Sequence, residues 1–230
     1  SFIFTILAMW KLLIPLFLMG YNPILIGMVT TIILVCLIIG LVYGIDRRSL
    51  AGIIGALAGS IVTCFMALFF VSRFKIHGAV MSYSEMLLYS GYENLNLTEI
   101  FIASIFIASS GAVMDVAVDI TSAVAEVVEK KPDITRTEAI KSGINVGRSI
   151  MGTMMTTLLL AYSGGYIGLL MVFMAQGTPI INILNLKYVS SEILHTLVGS
   201  FGLITVAPFT AIASGILLAE RNTENETQIN

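Results

Sequence analysis

Gly111-Ala-Val-Met-Asp115-Val-Ala-Val-Asp119-Ile-Thr-Ser122-Ala-Val-Ala-Glu126 stands inside a stretch that reads as one long apolar helix over 98–128, and its reading decides the rest. Two carboxylates lie where lipid should be. An unpaired charge at bilayer depth costs about 2.5–3.5 kcal/mol on insertion scales, so such a residue faces protein or a water-filled cavity and marks an ion or proton path. Spaced i, i+4, Asp115 and Asp119 share one helix face, and Gly111, Ser122 and Glu126 fall close to it. The expectation is a polar stripe turned away from lipid, with Asp115 and Asp119 as proton- or ion-coupling candidates and Ser122 lining the same path.

The surrounding chain has the composition of a bilayer-spanning protein. Hydrophobic residues make up 57% and charged residues only 11%, and the mean hydropathy is +0.95. Apolar runs at about 1–20, 22–44, 50–72, 98–126, 149–174 and 189–219 predict an all-α polytopic membrane protein with six transmembrane helices. The first run holds Lys11 in its middle with Pro15 after it, and the count falls to five if it is interfacial. A net charge of −2 without basic clusters speaks against nucleic-acid binding. Cys36 and Cys64 read as buried packing thiols and His77 and His195 as solitary, so neither a metal site nor a cofactor is expected. There is no phosphate loop, zinc triad or nucleophile elbow, and no acid on a facing helix for an intramembrane aspartyl protease, so the chain does not read as an enzyme. It opens at Ser1 in an apolar run with no methionine, and its natural N-terminus is expected upstream.

Orientation follows the basic residues. Arg47 and Arg48, then Lys130, Lys131, Arg136, Lys141 and Arg148, and finally Arg221 fall on one side, with only Arg73, Lys75 and Lys187 on the other. Both ends are therefore expected in the cytoplasm, with a polar tail over 221–230 and the 73–97 and 176–188 segments outside. In the cytoplasmic segment 127–148, Thr135 and Glu138 have capping-box spacing and Gly143 can close a short amphipathic helix. Gly55 and Gly59 in run three, with Gly52, form a small-residue packing ridge, and Gly111 offers another close approach. Thr153, Thr156 and Thr157 in run five are candidates for a polar lining, or else bond back to their own helix. Pro208 and the glycines of run six signal a kink or break. Lys11 and Arg148 are the cations nominated to approach the carboxylates.

Gly111-Ala-Val-Met-Asp115, the Glu138-Ala-Ile-Lys-Ser-Gly143 that follows, and Asn145-Val-Gly-Arg148-Ser-Ile-Met-Gly-Thr153-Met-Met-Thr156-Thr157-Leu resemble the YibE/F family of bacterial membrane proteins, over essentially the whole chain. The order Gly111, Asp115, Val118, Ile120, Glu126, Glu138, Gly143, Thr156-Thr157-Leu158 is also similar to one half of the SecD/SecF export factors of the resistance-nodulation-division superfamily. That second resemblance implies a six-helix half pairing with another half, with Asp115 at the position the superfamily uses for proton coupling. Only Gly20-Tyr21-Asn22-Pro23 joins the first two runs, where such proteins carry a large extracytoplasmic domain. A YibE-like partner chain carrying that domain is the implied companion, although a homodimer remains open. The expected function is a transport- or export-related subunit of the bacterial cytoplasmic membrane, and the alternative is a non-transporting assembly subunit. Membrane lipid is the other expected partner.

Overall fold

Asparagine, proline, glycine and charge punctuate the apolar runs, and the helices of the computed structural model start and stop at them. It describes residues 2–227, and side chains up to residue 219. The helices are α1 (Phe2–Leu7), α2 (Ile14–Leu18), α3 (Pro23–Tyr43), α4 (Arg47–Arg73), α5 (Ser84–Tyr89), α6 (Leu97–Lys130), α7 (Arg136–Gly165), α8 (Ile167–Ala175), α9 (Ile180–Asn185) and α10 (Lys187–Thr227). A π-helical turn, Ala8–Leu13, joins α1 to α2, and a 3-10 turn, Gly78–Val80, follows α4. No strand occurs among the described residues. The polar tail expected over 221–230 falls outside the described side chains, although α10 continues to Thr227.

Among the described residues, four helices are long and apolar enough to cross a bilayer: Pro23–Tyr43, Arg47–Arg73, Leu97–Lys130 and Lys187–Ala219. The α7–α8 pair, bent by 60°, makes a fifth if it is one span. Phe2–Leu18 is a shorter apolar helix. At about 1.5 Å per residue it falls a few ångströms short of a ~30 Å hydrocarbon core.

The starts are capped as their sequences require. Asn22 Oδ1 accepts from the Leu25 N–H at 3.0 Å with Pro23 in the first turn, Asp46 accepts from the Arg47 N–H at 2.7 Å, and Asn96 accepts from the Glu99 N–H at 3.2 Å. The capping box at Thr135 forms: its hydroxyl accepts from the Glu138 N–H and the Glu138 carboxylate accepts from the Thr135 N–H, both at 3.3 Å. That backbone hydrogen bond, with Lys131 beside it, lowers the Glu138 pKa from its ordinary 4.5. The box's stabilisation is therefore full above pH 4.5 and lost as the pH falls through the lowered value. Thr135→Ala is expected to cost about 1 kcal/mol of local stability, read as faster amide exchange over residues 136–140.

The bundle is built around α6, against which α3, α4, α7 and α10 all pack. Its inward face, Val113, Val116, Ala117, Ile120 and Val124, is buried with Val35 and Ile39 of α3, Ala56 of α4, and Leu203, Val206 and Ala211 of α10. Lipid is as apolar as these side chains, so helices associate in it through close van der Waals packing, which favours small residues. α4 follows that rule with Ala51, Gly52, Gly55, Ala56, Gly59, Ser60 and Thr63 all buried. A Cβ at Gly55 would meet the Thr210 hydroxyl and lie 2.7 Å from its Cα, and one at Gly59 would lie 2.8 Å from Val206 Cβ. Gly52 has only ordinary contacts, the nearest being Ile39 Cγ2 at 3.5 Å. The Thr121 and Ser214 hydroxyls share a hydrogen bond of 3.1 Å across the buried α6–α10 contact.

Several expectations are corrected. Gly143 does not close a short surface helix, since α7 runs unbroken from Arg136 to Gly165 and absorbs most of the 127–148 segment. A Cβ at Gly143 would lie 2.8 Å from Val124 Cγ2 and 2.9 Å from Ala211 Cβ, so this glycine serves helix approach, as Gly147 does against Ile120 and Ala207. The break comes at the Gly164-Gly165-Tyr166 end of α7. α10 continues helically through Pro208, so the helix is not broken there. Cys64 is buried, but Cys36 lies exposed on the outside of the bundle.

Candidate functional site

α6 spends its apolar face on the core, so the stripe on nearly the opposite side of the helix is left on the outside. Gly111, Asp115, Asp119, Ser122 and Glu126 are all exposed in the isolated chain, and a Cβ at Gly111 would meet nothing within 4 Å. The two aspartates thus face neither the bundle interior nor a cavity of this chain. Val113, Val116, Ala117 and Ile120 occupy the inward positions that the aspartates would need. Among the described residues no ion pair or hydrogen bond joins Asp115 or Asp119 to Lys11, Arg148 or any other group, and the carboxylates act on each other electrostatically.

The stripe is tied to α3 just below Asp119. The Tyr43 hydroxyl donates to the Val118 carbonyl, and it lies 2.6 Å from Ser122 Oγ. Tyrosine has one hydroxyl hydrogen, so the Ser122 hydroxyl is the donor in the second bond. Asp119 and Arg48 both act electrostatically on this phenol. Further along, Lys130 pairs with Glu126 at 2.6 Å, and Arg48 of α4 reaches Glu129 at 3.3 Å, which brings the basic ends of α4 and α6 together. Tyr43→Phe removes two hydrogen bonds at once and is expected to lower stability by about 1 kcal/mol, measured as a lower melting temperature in detergent.

The other sequence candidates are dispersed. Thr153, Thr156 and Thr157 lie on the exposed side of α7, and each hydroxyl donates to its own helix, to the carbonyls of Ile150, Gly152 and Thr153. Lys11 sits in the π-helical turn at the edge of the bundle and Arg148 on the exposed face of α7. Gly55 and Gly59 pack α4 against α10, whereas Gly111 packs on nothing in this chain. No group of three or more His, Cys, Asp or Glu converges as a metal site among the described residues.

One polar cluster escaped sequence reasoning. His195 is not solitary: its Nδ1 lies 3.7 Å from Glu192 Oε1, its ring stands 5.5 Å from that of Tyr162 and 6.1 Å from that of Phe101, and Tyr166 hydrogen-bonds Glu192. The buried His195 Nε2 has no partner among the described residues. Tyr162, Tyr166 and Glu192 also line a cavity of about 290 Å³ between α7, α8 and α10. The signal available in the sequence was two local pairs, Tyr162/Tyr166 at i, i+4 and Glu192/His195 at i, i+3. About thirty residues separate them, and only the packing of α7 on α10 makes them one cluster.

The YibE/F-like protein family matches this chain over residues 1–220. No curated protein and no solved structure matches it.

Proposed function

Because the chain belongs to the YibE/F family and carries two unpartnered carboxylates on the outward face of its central helix, we propose that it is a membrane transport or export-related subunit. Asp115 is the proton- or cation-coupling group and Asp119 the second candidate. The outward direction of the stripe carries this reading. Carboxylates at bilayer depth are stable only against protein or water, so a partner covers them in the working assembly. A carboxyl group that moves between protein and water as its surroundings change can bind and release a proton in turn.

The partner is a second six-helix half, either another copy or a YibE-like chain that carries an extracytoplasmic domain. In this reading the protein resembles half of a SecD/SecF-like assembly. Phe2–Leu18 is the sixth span, with the bilayer thinned locally around it. α7–α8 is one broken span, and Thr153, Thr156 and Thr157, on the exposed side of α7, are polar residues that the same partner would cover. The basic residues put both ends in the cytoplasm of a bacterial cell.

The same outward stripe also favours a second reading, a non-transporting subunit whose carboxylates hydrogen-bond a partner helix and fix assembly. Proton flux into proteoliposomes driven by a pH gradient, combined with sizing of the complex, separates the two. Transport predicts that Asp115→Asn stops flux while the complex stays whole. A wild type without flux, and an Asp115→Asn complex that falls apart, would leave only the assembly role.

A further inference from the structure

Lys75 and Lys187 run against the charge bias that gathers the other basic residues at the opposite end of the bundle, and the fold brings both to one cavity. This cavity, of about 490 Å³, lies between the linker after α4 and the first turns of α10. Neither lysine is in an ion pair among the described residues, and no carboxylate lines the cavity. His77 adds a third donor: its Nδ1 accepts from the Ala79 N–H at 3.2 Å, so the neutral ring carries its proton on Nε2. Lys75 holds a left-handed backbone, φ +52°, a conformation that costs a non-glycine residue energy and that the surrounding turn enforces.

The other walls are apolar. Ile76 and Leu194 are half-buried, while Phe74, Ile193 and Leu197 are exposed where the helices end, so this side of the cavity opens toward acyl chains when the bundle sits in a bilayer. Two lysines from separate elements, with no acid lining the cavity beside them, suit an anion, and the apolar wall suits one that carries a tail. A phosphate offers more oxygens to three separate donors than a carboxylate does, and basic pockets between transmembrane helices hold anionic headgroups. We propose that this cavity binds an anionic phospholipid, its phosphate between Lys75 and Lys187 and an acyl chain along Ile193, Leu194 and Leu197. The assignment is independent of any role for Asp115.

The test is binding of phosphatidylglycerol, phosphatidylcholine and inorganic phosphate to the full chain in detergent, by native mass spectrometry. Near a surface each basic side chain contributes about fivefold to the binding of an anionic lipid. The Lys75→Gln/Lys187→Gln variant should therefore bind phosphatidylglycerol more than tenfold more weakly, with phosphatidylcholine binding weak and unchanged. Both lysines are exposed, and an unaltered melting temperature without lipid checks that the variant is folded. Arg73→Gln, outside the cavity, should bind phosphatidylglycerol like the wild type. Equal binding of the two lipids, an equal loss in Arg73→Gln, or full retention in the double variant would overturn the site. Inorganic phosphate bound as tightly as phosphatidylglycerol, with the same lysine dependence, would overturn the lipid in favour of free phosphate.

Discussion

Gly55→Ala is expected to remove the native packing of α4 on α10, at a cost of about 3 kcal/mol, the upper end of what overpacking does. The added methyl would meet the Thr210 hydroxyl and stand 2.7 Å from the Thr210 Cα, and a backbone atom cannot turn aside as a side chain can. The two helices would have to move apart along their whole contact, which also holds Gly59 against Val206 and Gly202 against Thr63. Gly111→Ala is the matched control, because nothing in this chain stands within 4 Å of the new methyl and alanine is the better helix former. Thermal melting in detergent should show a large drop for Gly55→Ala and none for Gly111→Ala. A Gly55→Ala protein that melts within a degree or two of the wild type would mean that the helices do not approach this closely. If Gly111 sits under a partner helix, Gly111→Ala should weaken association while leaving the single chain stable.

Asp115→Asn should reduce gradient-driven proton flux about a hundredfold or more, the lower end of what a positioned proton-transferring side chain contributes. Asparagine keeps the shape and the hydrogen-bonding capacity but cannot exchange a proton in the accessible range, so folding and assembly should survive. Asp115→Glu should retain part of the flux, because the carboxyl remains within a bond length of its place. Asp119→Asn should have the smaller effect of losing a neighbour whose charge acts on Asp115. Each aspartate left against lipid would cost about 2.5–3.5 kcal/mol. Asparagine at either site should therefore also stabilise the uncovered chain, which makes loss of flux without loss of melting temperature the informative pattern.

Much of the fold was legible because the signals were local. The Thr135–Glu138 spacing produced its capping box, and the Gly55–Gly59 ridge found a helix to approach. Gly143 was misread because a glycine that ends a helix and one that admits a neighbour look alike until the neighbour is known. The opposite happened at Pro208, whose local breaking tendency is overridden by packing along α10, while the chain bends instead by 60° after Gly164-Gly165.

The candidate site divides the same way. By itself the sequence determined that the chain is helical and membrane-embedded and that Asp115, Asp119 and Ser122 lie along one stripe, since hydrophobic run length and the 3.6-residue period are properties of neighbouring residues. Only the tertiary structure decided which way that stripe points. The answer depends on which face of α6 finds the smallest and best-fitting partners, and Val113, Ala117, Ile120 and Val124 took the inside. Long-range packing likewise gathered Tyr162 and Tyr166 with Glu192 and His195, and Lys75 with Lys187, because groups this far apart in the chain meet only where helices are already held together.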